Sequence, residues 1–316
     1  MSRSMPARRS SRAMNCDVDL VSYSHQAQRR LDRAEAWLRG FEARFSRFNP
    51  KSELSFLNAA AGQPVRVSPR LFCLVSLALS LAARSGGLFD PTVLRELEEA
   101  GYNRSFEQIA GTHRALRRQR GPRSTTWRDV QTDLDSRTIA LPEGSGIDLG
   151  GIAKGWAVDR LAAIIGSPAL VNAGGDLFAS GRPHDAEAWL VGVEDPLQPE
   201  RDLAVLAIRD RGVATSTSLR RRWFDGDRWS HHLIDPRTSE PSDSDALQVT
   251  VITESTVLAD YHAKVALLSG VEDGLRYLEQ TQDVEGLIVC TSGVLSTSGL
   301  GSCLVRFRED GKRSGG

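Results

Sequence analysis

Several stretches of the chain carry residue types whose spacing suits chemistry. The densest runs from Gly146 to Asp159 and holds Asp148, Gly150, Gly151, Lys154 and Gly155. A Gly-Gly pair lets backbone approach a ligand closely, because no Cβ intervenes. The run then enters a helical pattern, with Ala157, Leu161 and Ile164 on one face and Gly166 after its end. A glycine turn feeding a helix start presents free N–H groups and the positive dipole end to an anion. Lys154 adds a point charge suited to phosphate. The spacing fits neither G-x-G-x-x-G nor a Walker A loop. The run therefore reads as a phosphate cradle or as a tight strand-to-helix turn with a surface lysine.

Asp90 stands in Gly86-Gly87-Leu88-Phe89-Asp90-Pro91-Thr92, a turn in which it is either a helix N-cap or a ligand-facing group. His231 and His232 fall in a predicted strand from Trp229 to Asp235. Alternation puts His232 and Ile234 on one face, and His231 and Leu233 on the other. By itself His232 reads as a satisfied strand histidine, and His231, His25, His113 and His184 as structural or surface. Asp260 and Lys264 stand one turn apart on a predicted helix, an acid-to-base pair worth a few tenths of a kcal/mol by itself.

Around these groups the sequence predicts a mixed set of elements. A strand from Asp17 to Tyr23 precedes a long helix striped by Leu31, Ala34, Leu38, Phe41, Phe45 and Phe48, which Asn49-Pro50 stops. A short helix follows from Ser52 to Asn58, then a strand from Pro64 to Val67. Ser68-Pro69 opens a further helix with Leu71, Leu74, Val75, Ala78, Leu81 and Ala82 inward. Arginines crowd residues 111 to 128, as on a solvated loop or helix face. Asp135-Ser136-Arg137 turns between two strands. The Gly146 run and its helix lead into a strand-rich section, with a hairpin signal at Asp225-Gly226. Leu247 to Thr253 is a strand, Ser255 caps a helix with Leu258, Tyr261, Val265 and Leu268 inward, and Gly274 to Gln280 is helical. Leu287 to Cys290 and Val294 to Ser296 form a hairpin.

The chain has 316 residues, 40% apolar and 25% charged, with zero net charge. It can bury a sizeable core, and its overall charge makes no case for nucleic acid. Residues 1–13 carry arginines without acids and read as a disordered basic tail; the end from Arg308 reads as loose. No apolar run follows Arg8-Arg9, and no stretch approaches a membrane span, so no stable membrane anchor is expected and the protein is expected to be cytoplasmic. Cys16, Cys73, Cys290 and Cys303 are unpatterned and read as reduced.

Taken in order, several runs resemble the ApbE family, the FAD:protein FMN transferases. They are Arg44-Phe45-Ser46-Arg47-Phe48 with Ser52-Glu53-Leu54 and Asn58, Gly86 to Thr92, Asp148 to Gly155, Asn172-Ala173-Gly174-Gly175-Asp176, Ala214-Thr215-Ser216, His232 to Thr238, and Ala259-Asp260. The resemblance covers about residues 14 to 300. It implies an α+β, T-fold-like architecture of mainly antiparallel sheets with packed helices and two fused subdomains, forming one flavin transferase domain over residues 14–307. It also implies FAD as substrate, Mg²⁺ as cofactor and a flavoprotein acceptor whose Thr or Ser hydroxyl receives FMN, with release of AMP; an FAD pyrophosphatase and a non-catalytic FAD binder are the alternatives. By the same resemblance Met14, Leu88, Phe89, Asp90, Asp148 and Lys154 bind the cofactor. The Gly151 carbonyl and Asp260 hold the metal, and His232 and Asp260 are catalytic. Two positions depart from the family pattern. Lys264 stands where a Thr or Ser hydroxyl commonly helps hold the metal, and Ser239 stands where Gly is usual. Lys264 pairs with Asp260, replaces the metal's charge, or weakens the metal site.

Overall fold

A computed structural model describes residues 5–109, 123, 125–224 and 229–308. Most of the arginine-rich stretch, the Asp225-Gly226 hairpin signal and the end from residue 309 lie outside the described residues. In chain order the strands are β1 (Ala7–Ala13), β2 (Cys16–Ser22), β3 (Pro64–Arg66), β4 (Gln131–Asp133), β5 (Thr138–Ala140), β6 (Ala169–Ala173), β7 (Asp176–Ser180), β8 (Trp189–Asp195), β9 (Gln198–Ile208), β10 (Arg211–Thr217), β11 (Arg222–Phe224), β12 (Trp229–His231), β13 (Ile234–Asp235), β14 (Glu240–Pro241), β15 (Ala246–Thr253), β16 (Glu285–Cys290), β17 (Gly293–Ser296) and β18 (Leu304–Phe307). The helices are α1 (Ala27–Phe45), α2 (Glu53–Ala59), α3 (Pro69–Arg84), α4 (Leu94–Glu99), α5 (Phe106–Ile109), α6 (Ala153–Ile165), α7 (Thr256–Ser269) and α8 (Val271–Gln280). The chain divides into two compact units, residues 1–39, 154–217 and 244–316, and residues 40–153 and 218–243.

In the first unit, eight strands among the described residues form one sheet in the order β1-β2-β6-β7-β10-β15-β16-β17. Every pairing in it is antiparallel. Side chains alternate between its faces. Val171 of β6 meets Leu31 of α1 and Leu161 of α6 in one core cluster. On the other side, Leu177 and Ala179 of β7 meet Trp189 of β8 and Leu206 of β9, from the three-stranded sheet β18-β9-β8. With both faces covered, β15 reads as a near-continuous apolar and β-branched run and is buried almost throughout. Helix α7 packs on β10 and β15. It is buried around most of its circumference, including Asp260 and His262, which a one-sided apolar stripe does not predict.

Strand β1 corrects the expectation of a disordered tail. Residues 7–13 pair in register with β2 from Ala7↔Ser22 to Ala13↔Cys16. Two of the arginines that suggested disorder are neutralised locally. Arg9 pairs with Asp32 at 2.6 Å and Glu35 at 2.8 Å on α1, and Arg12 pairs with Asp17 at 3.0 Å. Met14 and Asn15 form the two-residue turn between the strands, both left-handed at φ 54° and 58°.

In the second unit, Ser52 and Ser68 cap α2 and α3, accepting from the Ser55 N–H at 3.0 Å and the Leu71 N–H at 3.3 Å. The α3 apolar face is buried along its length. Strands β3, β5 and β4 form a small sheet around the Asp135–Arg137 turn. Helices α4 and α5, which the sequence did not suggest, supply Leu97 and Ile109 to a cluster with Tyr102, Trp223 and Ile234.

Candidate active site

In the second unit the glycine loop ahead of α6 is held before any ligand arrives. The Asn58 side chain clamps Ile147, accepting from its N–H at 2.8 Å and donating to its carbonyl at 2.9 Å. The Asp148 N–H donates to the Pro91 carbonyl at 2.8 Å. Asp148 Oδ1 accepts from the Gly150 N–H at 2.8 Å, and Oδ2 meets Arg47 Nε at 2.6 Å. A Cβ on Gly150 would come within 2.8 Å of Asp148 Oδ1, so a larger residue there would displace the carboxylate. Within this turn, the Gly150 amide is therefore committed to Asp148. Gly151 follows it, half-buried, just before α6.

Arg47 carries this loop to the histidine. Its side chain is 7% exposed, donates to the Tyr102 carbonyl at 2.8 Å, and lies 4.1 Å from the Phe48 ring centre and 4.7 Å from that of Tyr102. Tyr102 stacks on Trp223 at 5.7 Å and presents an edge to His232 at 6.3 Å. Burial pushes the Tyr102 hydroxyl pKa up, against the pull of Arg221 and Arg47, so it stays a protonated donor. The structure thus brings Asp148 and His232 into one network through Arg47 and Tyr102.

The expected single strand from Trp229 to Asp235 is two. Strand β12 ends at His231, and β13 begins at Ile234. The break follows from His231 itself: its Nδ1 accepts from the Leu233 N–H at 3.2 Å while Nε2 donates to the Ser242 carbonyl at 2.9 Å. Burial holds His231 below its usual pKa, as for a neutral structural histidine. His232 is half-buried at the break, and Ile234 beyond it is 1% exposed. Beyond it, Arg237 grips Asp235 with Nε at 3.0 Å and a second nitrogen at 2.7 Å, and the turn closes through Ser239 at φ 61°.

The Gly86–Thr92 loop is buried from Phe89 onward. Phe89 is 2% and Asp90 4% exposed, and Leu88 is half-buried. Asp90 is not a helix cap either. Its carboxylate accepts from the Thr92 N–H at 2.8 Å and hydroxyl at 2.6 Å, and meets Arg123 at 3.2 Å. Arg123, read as part of a solvated basic stretch, is 7% exposed and also meets Glu96 at 3.0 Å. Burial raises the Glu96 pKa, with Arg123 opposing.

In the first unit Lys154 is no surface lysine, because its ammonium meets the buried carboxylate of Asp176. The Thr215 N–H donates to the other Asp176 oxygen at 3.3 Å. Met14 is half-buried at the hairpin tip, against the α1–α6 cluster. Helices α6 and α7 approach closely at Gly155, where a Cβ would lie 2.7 Å from the Thr256 carbonyl. Ser255 precedes α7 without a side-chain cap bond. Asp159 of α6 fills that role, accepting from the N–H of Thr256 at 2.8 Å and of Val257 at 3.0 Å. Asp260, 8% exposed, is in the second turn of α7, and Lys264 one turn later is half-buried. His262, which the sequence reading passed over, is buried with Nδ1 2.6 Å from the Tyr277 hydroxyl. Arg47, Tyr102 and Asp159 were also not singled out. Arg47 falls within the Arg44-Phe45-Ser46-Arg47-Phe48 run, but nothing local marks Tyr102 or Asp159 as partners of residues so distant in sequence.

The profile of the ApbE family matches residues 14–288. The chain belongs to the ApbE family. It is 28% identical over 288 residues to the FAD:protein FMN transferase of Klebsiella pneumoniae, covering 87% of this chain and 86% of that protein. It is 30% identical to the one of Treponema pallidum, over 75% and 70%. Among solved structures, the ApbE protein of Thermotoga maritima superposes with a TM-score of 0.83 at 25% identity, covering 93% of this chain and 97% of that one. The flavin transferase ApbE of Vibrio cholerae gives 0.78 at 24%, over 95% and 99%, and so supports the mixed α+β fold.

Membership of the ApbE family raises the question of Mg²⁺. Its hard-oxygen ligands are commonly one or two carboxylates completed by substrate phosphates and water. Asp260 offers such a carboxylate, but Lys264 follows it at the spacing that brings side chains together on a helix. An ammonium cannot ligate a cation and repels one nearby. Among the described residues no three His, Cys, Asp or Glu gather as a metal set. By its chemistry and its spacing, Lys264 argues against a divalent ion held at Asp260.

Proposed function

We propose that this chain is an FAD:protein FMN transferase, moving FMN from FAD onto a Thr or Ser hydroxyl of an acceptor flavoprotein. The observation that carries this reading is the network of Asp148, Arg47 and Tyr102 beside half-buried His232, in a chain that matches named FMN transferases over most of its length.

The hydroxyl oxygen of the acceptor attacks the phosphorus on the riboflavin side of the FAD pyrophosphate. A new P–O bond forms, the bond from that phosphorus to the bridging oxygen breaks, and AMP leaves with that oxygen. His232 takes the hydroxyl proton, a role worth about 10²–10⁴ in rate. Phosphoryl transfer depends chiefly on placement and charge neutralisation. Lys154, oriented by Asp176, supplies positive charge for a phosphate, and Asp148 serves to hold the cofactor with its loop. Leu88 and Met14, both half-buried, are the apolar groups offered to the flavin, with Phe89 and Asp90 shaping the loop behind Leu88. The Mg²⁺ of the family resemblance would draw on Asp260 and the Gly151 carbonyl. Lys264, one turn after Asp260 on α7, argues against that set.

The test is to incubate the protein with FAD and candidate acceptor flavoproteins, then read acceptor mass and free AMP. An FMN-sized gain with stoichiometric AMP is expected, and His232→Asn should lower it by about a hundredfold or more. AMP without the gain would make the protein an FAD pyrophosphatase; bound FAD with neither product would remove the enzyme reading.

A further inference from the structure

We propose that Lys264 takes the place of a divalent cation at Asp260, so that the positive charge offered there to the FAD pyrophosphate is an ammonium belonging to the chain. The proposal rests on the transferase reading for its substrate, but its claim about the cation stands on the first unit alone.

Three features of that unit support it. Asp260 and Lys264 lie four residues apart within α7, acid before base, the order and spacing at which the two side chains meet on a helix. Asp260 is buried to 8% exposure and Lys264 half-buried, in a helix whose other residues are mostly buried, so bulk water screens this charge poorly. The position is also fixed. Asp159 holds the first two amides of α7 at 2.8 and 3.0 Å, and the Gly155 contact leaves no room between α6 and α7.

The nearby charges agree. On α6, Lys154 is matched to Asp176 as Lys264 can be matched to Asp260. Each carboxylate then has one ammonium. A divalent cation added to Asp260 would bring two charges beside the lysine that follows one turn later on α7, and like charges at close range disfavour each other. An ammonium is a compact point charge with several donors, suited to phosphate oxygens, and a fixed one needs no reorganisation when charge develops.

The experiment uses the full chain and Mn²⁺ as a paramagnetic probe, titrated with and without FAD and read by the loss of the free-ion resonance. The wild type is expected to bind no Mn²⁺ beyond the weak level of FAD alone. Lys264→Thr should gain a site at least about tenfold tighter, and Lys264→Arg should stay without one. In parallel, AMP release from FAD by the wild type should survive excess EDTA within about twofold. Lys264→Thr should lose at least about tenfold in EDTA and recover it with Mg²⁺. Lys264→Gln, checked for native circular dichroism, repeats the titration should the Thr variant fold poorly. Tight Mn²⁺ binding by the wild type, or no gain in either neutral variant, overturns the proposal. If no protein form cleaves FAD, the transferase reading falls, while the Mn²⁺ titration still decides whether Lys264 excludes the cation.

Discussion

Arg47 holds Asp148 through an ion pair of 2.6 Å in which the two side chains are 7% and 13% exposed. The same guanidinium covers the Tyr102 ring at 4.7 Å and bonds its carbonyl at 2.8 Å. One side chain thus ties the glycine loop to the aromatic group beside His232. A planar guanidinium can meet a carboxylate at its edge while lying over a ring, and an ammonium cannot do both.

Removing Arg47 would strand a buried carboxylate. Arg47→Met should therefore cost about 3–5 kcal/mol of stability, the usual size when one partner of a buried pair is lost. Asp148→Asn in the Arg47→Met background should recover part of that cost. A urea-unfolding cycle of the two variants measures the coupling. A coupling under about 0.5 kcal/mol would show that the pair is no better than an exposed one. Arg47→Lys keeps the charge but loses the fork, so it should fall between wild type and Arg47→Met.

What the sequence made legible was periodic or catenated. The stripe through Leu31, Leu38 and Phe45 and the Ser68-Pro69 cap announce α1 and α3, because helix spacing and capping are local properties. The candidate site was legible as short runs whose order resembles a family. Contacts across the chain were not legible. Strand β1 reads like a tail because two of its arginines, Arg9 and Arg12, find their acids on α1 and β2. Helix α4 has six residues and no side-chain cap to announce it. The run through His231 and His232 alternates like one strand, yet the His231 ring takes the Leu233 amide and divides it. Lys154 looked like a free phosphate ligand because Asp176 reaches it only through the fold.

Asp159 predicts a pH dependence. Burial raises its pKa, and the hydrogen bonds from Val257 and Thr256 oppose that shift without cancelling it. The folded protein therefore holds a proton on Asp159 at pH values where the unfolded chain has released it. Stability from this group is fully present below the unfolded pKa and is lost as pH rises through the folded one. Asp159→Asn removes the titration while keeping one oxygen acceptor for the α7 amides. Unfolding midpoints measured from the ordinary aspartate range upward should fall less steeply with pH in the variant than in the wild type. Parallel curves would mean that the carboxylate titrates alike in both states.

At Ser239 two opposed effects, steric strain and chain entropy, set the outcome of a glycine substitution. The turn after Thr238 places Ser239 at φ 61°, with its N–H bonded to the Asp235 carbonyl at 2.8 Å. A left-handed residue with a Cβ costs about 1–2 kcal/mol that glycine avoids. Glycine in turn loses more chain entropy on folding, about 0.5–1 kcal/mol. The steric term is the larger, and the turn is fixed on both sides by the Arg237–Asp235 pair and the β13–β14 ladder. Ser239→Gly should thus raise stability by about 0.5–1 kcal/mol, read as a higher urea midpoint at unchanged slope. Because the Ser239 backbone bond is retained by glycine, FAD cleavage should stay at the wild-type rate. A lower midpoint would mean that the serine hydroxyl makes a contact worth more than the strain it carries.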